Sequence, residues 1–243
     1  TGRSLFDGLF DPSSLTAETG IEYDEVQLAA IRQAVTSKVM VLTGGPGTGK
    51  TTILNAIIQV FAENKAKILL AAPTGRAAKR MSEAIGREAR TIHRLLEYTP
   101  KDDGFARNED NPLACGLLVV DEASMMDTML AYHLLKAAPL GATIVFVGDV
   151  HQLPSVGPGN VLRDLIDSDV IPVIHLTEVF RQAAESLIVT SAHAIVAGEM
   201  PDLTVRDNDF FFLQKSSSEA VLQTVVDLCA RRLPASYGYS PVR

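Results

Sequence analysis

The chain has 243 residues, of which 47% are hydrophobic and 21% charged, so a packed core is readily built and disorder is not the default expectation. Its net charge of −7 argues against binding nucleic acid over the whole surface and leaves room only for a local basic groove. The two cysteines stand in no Cys/His cluster, which argues against zinc or a disulfide framework, and no apolar run approaches the roughly 18 residues of a membrane span. We therefore expect a cytoplasmic protein with reduced, buried thiols and no membrane partner.

Apolar strands and helices alternate along most of the chain. Strands are predicted at 38–44, 66–72, 116–122, 141–149 and 170–176. Helices are predicted at 51–64, 75–86, 91–98 and 128–138. The strands are near-continuous apolar runs, which is typical of a parallel sheet covered on both faces. The pattern predicts a doubly wound α/β domain whose ligands gather at the carboxyl ends of the strands.

The domain boundaries follow from changes in this pattern. Residues 1–20 are predicted to be a leading segment or linker, and residues 21–182 the first domain. Within it, the polar, turn-rich stretch 99–114 could form a loop or a small β-hairpin insertion. A helix at 186–198, a strand at 209–213 and a helix at 219–233 then predict the start of a second domain, incomplete, over 183–243.

The stretch "GGPGTGKT", residues 44–51, matches G-x-x-x-x-G-K-[ST] between a strand and a helix, which is the context that a phosphate-binding loop requires. Lys50 is expected to reach the β- and γ-phosphates of ATP, and Thr51 to place its hydroxyl on Mg²⁺. The alternative is a Gly-rich turn, which both the spacing and the context disfavour. The predicted nucleotide-binding residues of the loop are Gly45, Pro46, Gly47, Thr48, Gly49, Lys50, Thr51 and Thr52.

A second chemical signal is "LLVVDEAS", residues 117–124, an apolar strand that ends in two acids. Asp121 is expected to bind the water shell of Mg²⁺, and Glu122 to orient or deprotonate the attacking water. An Asp-Glu pair at a strand end is often only a cap. Next to a phosphate loop, it favours hydrolysis over simple nucleotide binding.

Seven short motifs together resemble one protein family. They are "YDEVQLAAI" (23–31), "GGPGTGKTT" (44–52), "APTGRAAKRM" (72–81), "TIHRLL" (91–96), "DEAS" (121–124), "GDVHQLPSVGPG" (148–159) and "LTEVFRQ" (176–182). In order and spacing they are similar to superfamily-one DNA helicases of the 5′-to-3′ branch, in the RecD-like group that includes the exodeoxyribonuclease V alpha subunit. The resemblance covers residues 20–200 and implies two RecA-like P-loop NTPase domains. It also implies ATP hydrolysis with Mg²⁺, movement 5′ to 3′ on single-stranded DNA, and unwinding at duplex junctions in DNA repair or recombination, with nuclease-complex subunits as further partners.

The resemblance also implies residue roles around the nucleotide. Gln27 matches the glutamine that reads adenine, and Phe180 could stack on the base. Arg181 matches the arginine that meets the γ-phosphate, and is counted with Lys50, Glu122 and Gln152 as catalytic. Gln152 would bond the γ-phosphate or the attacking water and relay hydrolysis to the DNA path, whereas its neighbour His151 is expected to be incidental.

Other matching residues are implied to hold single-stranded DNA. They are Pro73, Thr74, Gly75, Arg76, Thr91 and His93. Part of the basic stretch 76–101 would line the same path, with salt-sensitive affinity. In relatives the 99–114 region can act as a pin that splits the duplex, for which Phe105 is a tip candidate, although an ordinary surface loop is an equal alternative.

The family's later motifs, which complete the second RecA-like domain, are absent. We therefore expect these 243 residues alone to bind nucleotide weakly and not to unwind DNA. A non-motor ATP-binding module that regulates or assembles a DNA-processing complex is the alternative function.

Overall fold

A computed structural model of the chain describes residues 20–100, 104–178, 184–205, 209–238 and 240. The chain divides into two compact units, with the boundary between Glu185 and Ser186. Most of the predicted site falls in the first unit.

The first unit begins with helix α1 and alternates thereafter. Its helices are α1 (Glu25–Thr36), α2 (Lys50–Glu63), α3 (Gly75–Ile85), α4 (Ile92–Leu95), a 3₁₀ turn (Ala123–Met125), α5 (Thr128–Ala137) and α6 (Val161–Asp167). Its strands are β1 (Val39–Gly44), β2 (Ile68–Ala72), β3 (Ala89–Thr91), β4 (Tyr98–Thr99), β5 (Gly104–Phe105), β6 (Leu117–Val120), β7 (Thr143–Gly148) and β8 (Val173–Leu176).

Six of these strands form one parallel sheet in the order β3-β2-β6-β7-β1-β8. Strand β1 lies between β7 and β8, with Val41 opposite both Phe146 and Val173. Because all six strands run the same way, the ends of β1, β6 and β7 bring the phosphate loop, the two acids and the 148–159 loop to one edge. This is the edge at which α/β sheets bind ligands.

Both faces of the sheet are covered, as the apolar runs predict. Met40 and Leu42 pack on one side with Ile57 and Phe61 of α2. On the other side, Val41 packs in the cluster that contains residues of α4, α5 and α6. The predicted doubly wound parallel sheet is therefore confirmed.

Helices α1 and α6 and strand β3 of the first unit were not predicted from the sequence. The β4–β5 pair overlaps the stretch 99–114, for which a small β-hairpin was one of the two alternatives. The pair is antiparallel, with Tyr98 opposite Phe105 and Thr99 opposite Gly104. The predicted helix 91–98 is reduced to the single turn of α4.

The described part of the second unit is helical, with α7 (Leu187–Val196), α8 (Ser218–Asp227), a π turn (Leu228–Arg232) and α9 (Leu233–Tyr237). The predicted strand at 209–213 is wrong, since these residues form no strand. Instead, the Asp209 carboxylate accepts hydrogen bonds from the N–H groups of Leu187, at 2.8 Å, and Ile188, at 3.3 Å. A strand requires a neighbouring strand, and the described residues of this unit contain none.

The two thiols differ from the expectation. Cys229 is exposed, so the prediction of a buried thiol is wrong there, and Cys115 is half-buried. Burial raises the pKa of the Cys115 thiol to about 11. Among the described helices, none combines the length and apolar character needed to cross a membrane.

Candidate nucleotide site and nucleic-acid segments

The phosphate loop is a tight turn between β1 and α2. A Cβ on Gly44 would lie only 2.7 Å from the Leu176 carbonyl oxygen and from Thr48 Oγ1, so the position needs glycine. The buried Thr48 hydroxyl donates to the Gly45 carbonyl at 2.9 Å and fixes the turn. Gly49 precedes α2, and no side chain caps the helix. The first N–H groups of this 14-residue helix are therefore available to bind an anion.

Lys50 points back into this turn. Its ammonium donates to the carbonyl oxygens of Gly44, at 2.6 Å, and Gly45, at 2.7 Å. Burial lowers the pKa of Lys50, while the carboxylates of Asp149, Asp121 and Glu122 act in the opposite direction. The ammonium is thus held at the loop by two hydrogen bonds. Three carboxylates lie near enough to raise its pKa.

The two acids after β6 are held by the backbone. The Asp121 N–H donates to the Ala71 carbonyl at 2.9 Å, and one Asp121 oxygen accepts the Glu122 N–H at 2.9 Å. Glu122 has a φ of 52°, in the left-handed region. A non-glycine residue there stores strain of about 1–3 kcal/mol, and such residues cluster at functional sites.

The pKa values of both acids are raised, chiefly by burial. For Glu122, the Asp121 carboxylate adds to the rise, whereas the cationic side chains of Lys50 and Arg80 oppose it. A carboxylate with a raised pKa is a better proton acceptor at neutral pH.

A cavity of about 440 Å³ joins these elements. Seven residues predicted from the sequence line it: Pro46, Gly47, Lys50, Thr51, Asp121, Glu122 and Gln152. Arg80 of α3 also lines it, although sequence reasoning assigned Arg80 only to the basic stretch.

The donors in this cavity suit Mg²⁺. Thr51 supplies a hydroxyl oxygen and Asp121 carboxylate oxygens, and both line the same space. Hard oxygen donors are those that Mg²⁺ prefers, and it commonly takes only one or two protein ligands beside waters and phosphate oxygens. In keeping with that, no group of three or more His, Cys, Asp or Glu side chains able to hold a metal occurs within the described ranges.

Gln152 reaches the cavity because the chain turns sharply after β7. The Gln152 N–H donates to the Asp149 carbonyl at 3.2 Å, and the Asp149 carboxylate accepts the His151 N–H at 2.9 Å. Asp149 is itself buried, which anchors the turn. His151 contributes to this turn through its backbone N–H, which donates to Asp149.

A second cavity, of about 330 Å³, lies beside Thr48 of the phosphate loop. Gln27 lines it and is only 4% exposed, so it is not a surface side chain. Its side-chain oxygen accepts the Asp24 N–H at 3.0 Å, and its N–H donates to the Asp24 carboxylate at 2.8 Å. This capping box holds Gln27 in place at the start of α1.

The segment after β8 also lines the second cavity, through Thr177 and Glu178. It leads to Phe180 and Arg181, which lie outside the described residues. Their predicted roles stay predictions.

The segments predicted to hold single-stranded DNA lie at the ends of two paired strands, where Ala72 of β2 pairs with Thr91 of β3. Thr74 caps α3 by accepting the Ala77 N–H at 3.2 Å, and Thr91 caps α4 by accepting the Arg94 N–H at 3.2 Å. As cap acceptors, both hydroxyls keep a proton to donate. Of the other predicted DNA-binding residues, Pro73 is half-buried, and Gly75, Arg76 and His93 are exposed.

His93 belongs to an aromatic cluster with the β4–β5 hairpin. Its ring centroid lies 5.6 Å from that of Tyr98 and 5.8 Å from that of Phe105, and Phe105 lies 4.6 Å from His133 of α5. The expectation that Phe105 forms the tip of a pin is wrong, because Phe105 is half-buried and packs against the core. The turn between the strands, 101–103, lies outside the described residues.

Comparison with known proteins fixes the family. Residues 27–158, more than half of the chain, match the family model described as an AAA domain. The chain belongs to the AAA-domain family.

Within that family its relatives are RecD-type helicases, which confirms the resemblance. The chain is 44% identical over 177 residues to the "ATP-dependent RecD2 DNA helicase" of Deinococcus radiodurans, covering 73% of this chain and 24% of that protein. It is 38% identical over 202 residues to the "RecBCD enzyme subunit RecD" of Mycobacterium tuberculosis, covering 73% of this chain and 35% of that protein. The chain thus spans about a quarter to a third of these relatives.

The Pif1 helicase from Candida albicans is a structural neighbour, with a TM-score of 0.54 at 20% identity, covering 86% of this chain and 54% of that one. This likeness supports the fold alone. Together with the six-stranded sheet, it confirms the predicted RecA-like P-loop architecture.

The basic side chains of the stretch 76–101 point in different directions. Lys79 pairs with Glu83, at 3.9 Å, while Arg80 lines the nucleotide cavity. Arg90 pairs with Glu88, at 2.9 Å, and lines a separate cavity with Lys67. Composition alone could not separate these directions, because neighbours in sequence point to different sides of a helix.

Proposed function

We propose that this RecD-like AAA domain is the nucleotide-binding part of an ATP-dependent DNA helicase that moves 5′ to 3′ along single-stranded DNA and opens duplex junctions. One observation carries the proposal. Lys50, Thr51, Asp121, Glu122 and Gln152 line a single cavity, as ATP hydrolysis requires. A plain nucleotide switch would not need a carboxylate of raised pKa beside the phosphate loop.

The proposed roles follow from the geometry. The uncapped start of α2 and the Lys50 ammonium bind the polyphosphate, and the Lys50 ammonium exchanges its loop carbonyls for phosphate oxygens. Thr51 and Asp121 would hold Mg²⁺, which neutralises charge that develops on the phosphates. Glu122 accepts the proton of the attacking water, and Gln152 orients that water or the γ-phosphate.

The adenine is assigned to the second cavity, beside Gln27. The Gln27 oxygen has two lone pairs, of which the Asp24 N–H uses one, and its amide donors can face an adenine edge. Phe180 and Arg181 are proposed to close this side by stacking on the base and by contacting the γ-phosphate.

The DNA path is assigned to the exposed surface around Thr74, Gly75, Arg76, Thr91 and His93. Hydroxyl and backbone N–H donors at the starts of α3 and α4 suit phosphate oxygens, and the His93 ring can stack on a base. Such contacts position a strand without reading its sequence. The mycobacterial relative is named as a subunit of the RecBCD enzyme. Assembly of the present protein with nuclease subunits is a further proposal.

The test is ATP hydrolysis and strand separation by the complete protein that carries this chain, on substrates with 5′ or 3′ overhangs. We expect turnover to rise with single-stranded DNA, unwinding from the 5′ overhang, and loss of both in Lys50→Ala. DNA-stimulated turnover that survives Lys50→Ala would sink the assignment. Turnover indifferent to DNA would favour the non-motor ATP-binding module, and unwinding from the 3′ overhang would reverse the polarity.

A further inference from the structure

Arg80 lies on the face of α3 that borders the nucleotide cavity. It lines this cavity with Lys50, Asp121 and Glu122, and the next residue, Met81, is buried in the core. The burial of Met81 fixes the rotation of α3, so that Arg80 borders the cavity while its neighbour Lys79 does not line it. Arg80 is exposed to solvent and is therefore not needed to fill the core.

The guanidinium of Arg80 is not paired with another side chain of the described residues. It makes no ion pair and no side-chain hydrogen bond with any residue in the part of the chain that the structure describes. Lys79, by contrast, faces Glu83 at 3.9 Å, and Arg90 is hydrogen-bonded to Glu88 at 2.9 Å and 3.0 Å.

The charge balance of the cavity favours a second cation. Lys50 shares the cavity with the carboxylates of Asp121 and Glu122, so its single charge is already opposed before an anion enters. A nucleoside triphosphate adds further negative charge. A guanidinium offers a planar fork of donors that matches two oxygens of one phosphate, which a lysine ammonium cannot do.

We propose that Arg80 is a phosphate-contacting residue of the nucleotide site, whose guanidinium binds the terminal phosphate of a bound nucleoside triphosphate. The inference rests on the function proposed above for that site and assigns Arg80 to the nucleotide rather than to the DNA path. Helix α3 would then contact two ligands. Thr74 and Arg76 at its start would contact DNA phosphates, and Arg80, about 6–9 Å further along the helix axis, would contact the nucleotide.

The test compares Arg80→Gln and Arg80→Lys with the matched control Lys79→Gln in the complete protein. The dissociation constants of fluorescent mant-ATP and mant-ADP are measured with Mg²⁺, together with KM and kcat for ATP and the affinity for an oligothymidine without nucleotide. We expect Arg80→Gln to weaken mant-ATP binding by about 10- to 100-fold, as loss of a charge-assisted hydrogen bond does, and mant-ADP binding by much less. Arg80→Lys recovers part of the loss, Lys79→Gln changes neither constant, and no variant alters the melting temperature or the oligothymidine affinity.

Three outcomes would overturn the inference: the two described next, and the absence of any effect of Arg80→Gln. Equal losses in Arg80→Gln and Lys79→Gln would show a general effect of charge, and a loss of oligothymidine affinity with mant-ATP binding intact would place Arg80 on the DNA path. Lys50→Ala, measured in parallel, separates this failure from failure of the proposed function. If Lys50→Ala abolishes hydrolysis while Arg80→Gln changes nothing, only the role of Arg80 is refuted; if Lys50→Ala hydrolyses normally, the site assignment itself fails.

Discussion

Gly159, in the loop that carries Gln152, packs against the start of α5 without room for a side chain. Its φ is 96°, and a Cβ built there would lie 1.9 Å from Thr128 Oγ1 and 3.3 Å from Thr128 Cβ. The backbone is fixed at the same point, because the Thr128 N–H donates to the Pro158 carbonyl at 3.0 Å. We therefore predict that Gly159→Ala destabilises the first unit.

Two effects add in this variant. A non-glycine residue at this φ costs about 1–3 kcal/mol in backbone strain. Forcing a methyl group into the contact adds about 1–3 kcal/mol. The expected loss, about 2–6 kcal/mol, is a large share of the roughly 5–15 kcal/mol by which domains are typically stable.

The companion variant Thr128→Ala removes Oγ1 and leaves the Thr128 Cβ, at 3.3 Å, as the nearest atom. The double variant should therefore recover most of the steric part and keep the strain. Urea unfolding of the wild type, both single variants and the double variant, followed by circular dichroism, should give a coupling of about 1–3 kcal/mol between the two sites. Additive changes, or a neutral Gly159→Ala, would refute the reasoning.

Three further predictions concern the core, the thiols and the acids. Phe61 is fully buried, so Phe61→Ala should lower the free energy of unfolding in urea by about 3–5 kcal/mol, and a loss below 1 kcal/mol would contradict the packing described. At pH 8, iodoacetamide should alkylate the exposed Cys229 well before Cys115, whose pKa of about 11 leaves little thiolate; equal rates by mass spectrometry would show otherwise. Because burial raises the pKa of Glu122 in the folded state, its ionisation costs stability as the pH rises above the ordinary carboxyl range. Glu122→Gln should therefore be more stable than the wild type at pH 7 but not at pH 4, and a difference independent of pH would count against the raised pKa.

Predictions from the sequence were most accurate for elements in which the residue types present serve a single structural purpose. The phosphate loop follows from its glycines, Lys50 and Thr51, and the runs "LLVV" and "IVFVG" follow from burial on both faces of a sheet. Strand β3, "ART", carries no apolar signal, because a three-residue edge strand is defined by its pairing with β2. The run "FFFL" has strand-forming residues but no partner strand among the described residues of its unit.

The directions in which side chains point were the second feature that could not be predicted from the sequence. Phe105 is aromatic and lies in a turn-rich stretch, yet tertiary contact with His133 draws it onto the core. Arg80 follows Lys79 in sequence but differs from it by about 100° around the helix, so that one borders the nucleotide cavity and the other pairs with Glu83. Periodicity assigns a residue to a helix, and only the packing of that helix decides what the residue faces.

The position of β1 in the sheet has a consequence for how the protein is made. β1 comes before the other five strands of the sheet in the chain, yet its two neighbours are β7, which begins at Thr143, and β8, which ends at Leu176. Such long-range parallel pairing closes slowly, since large loops must be ordered first. A nascent chain therefore exposes the apolar β1 and an unformed phosphate loop until β8 has left the ribosome. Nucleotide binding is expected to be one of the last properties that the domain acquires during synthesis. The time between the emergence of β1 and that of β8 is the interval in which a chaperone would be needed.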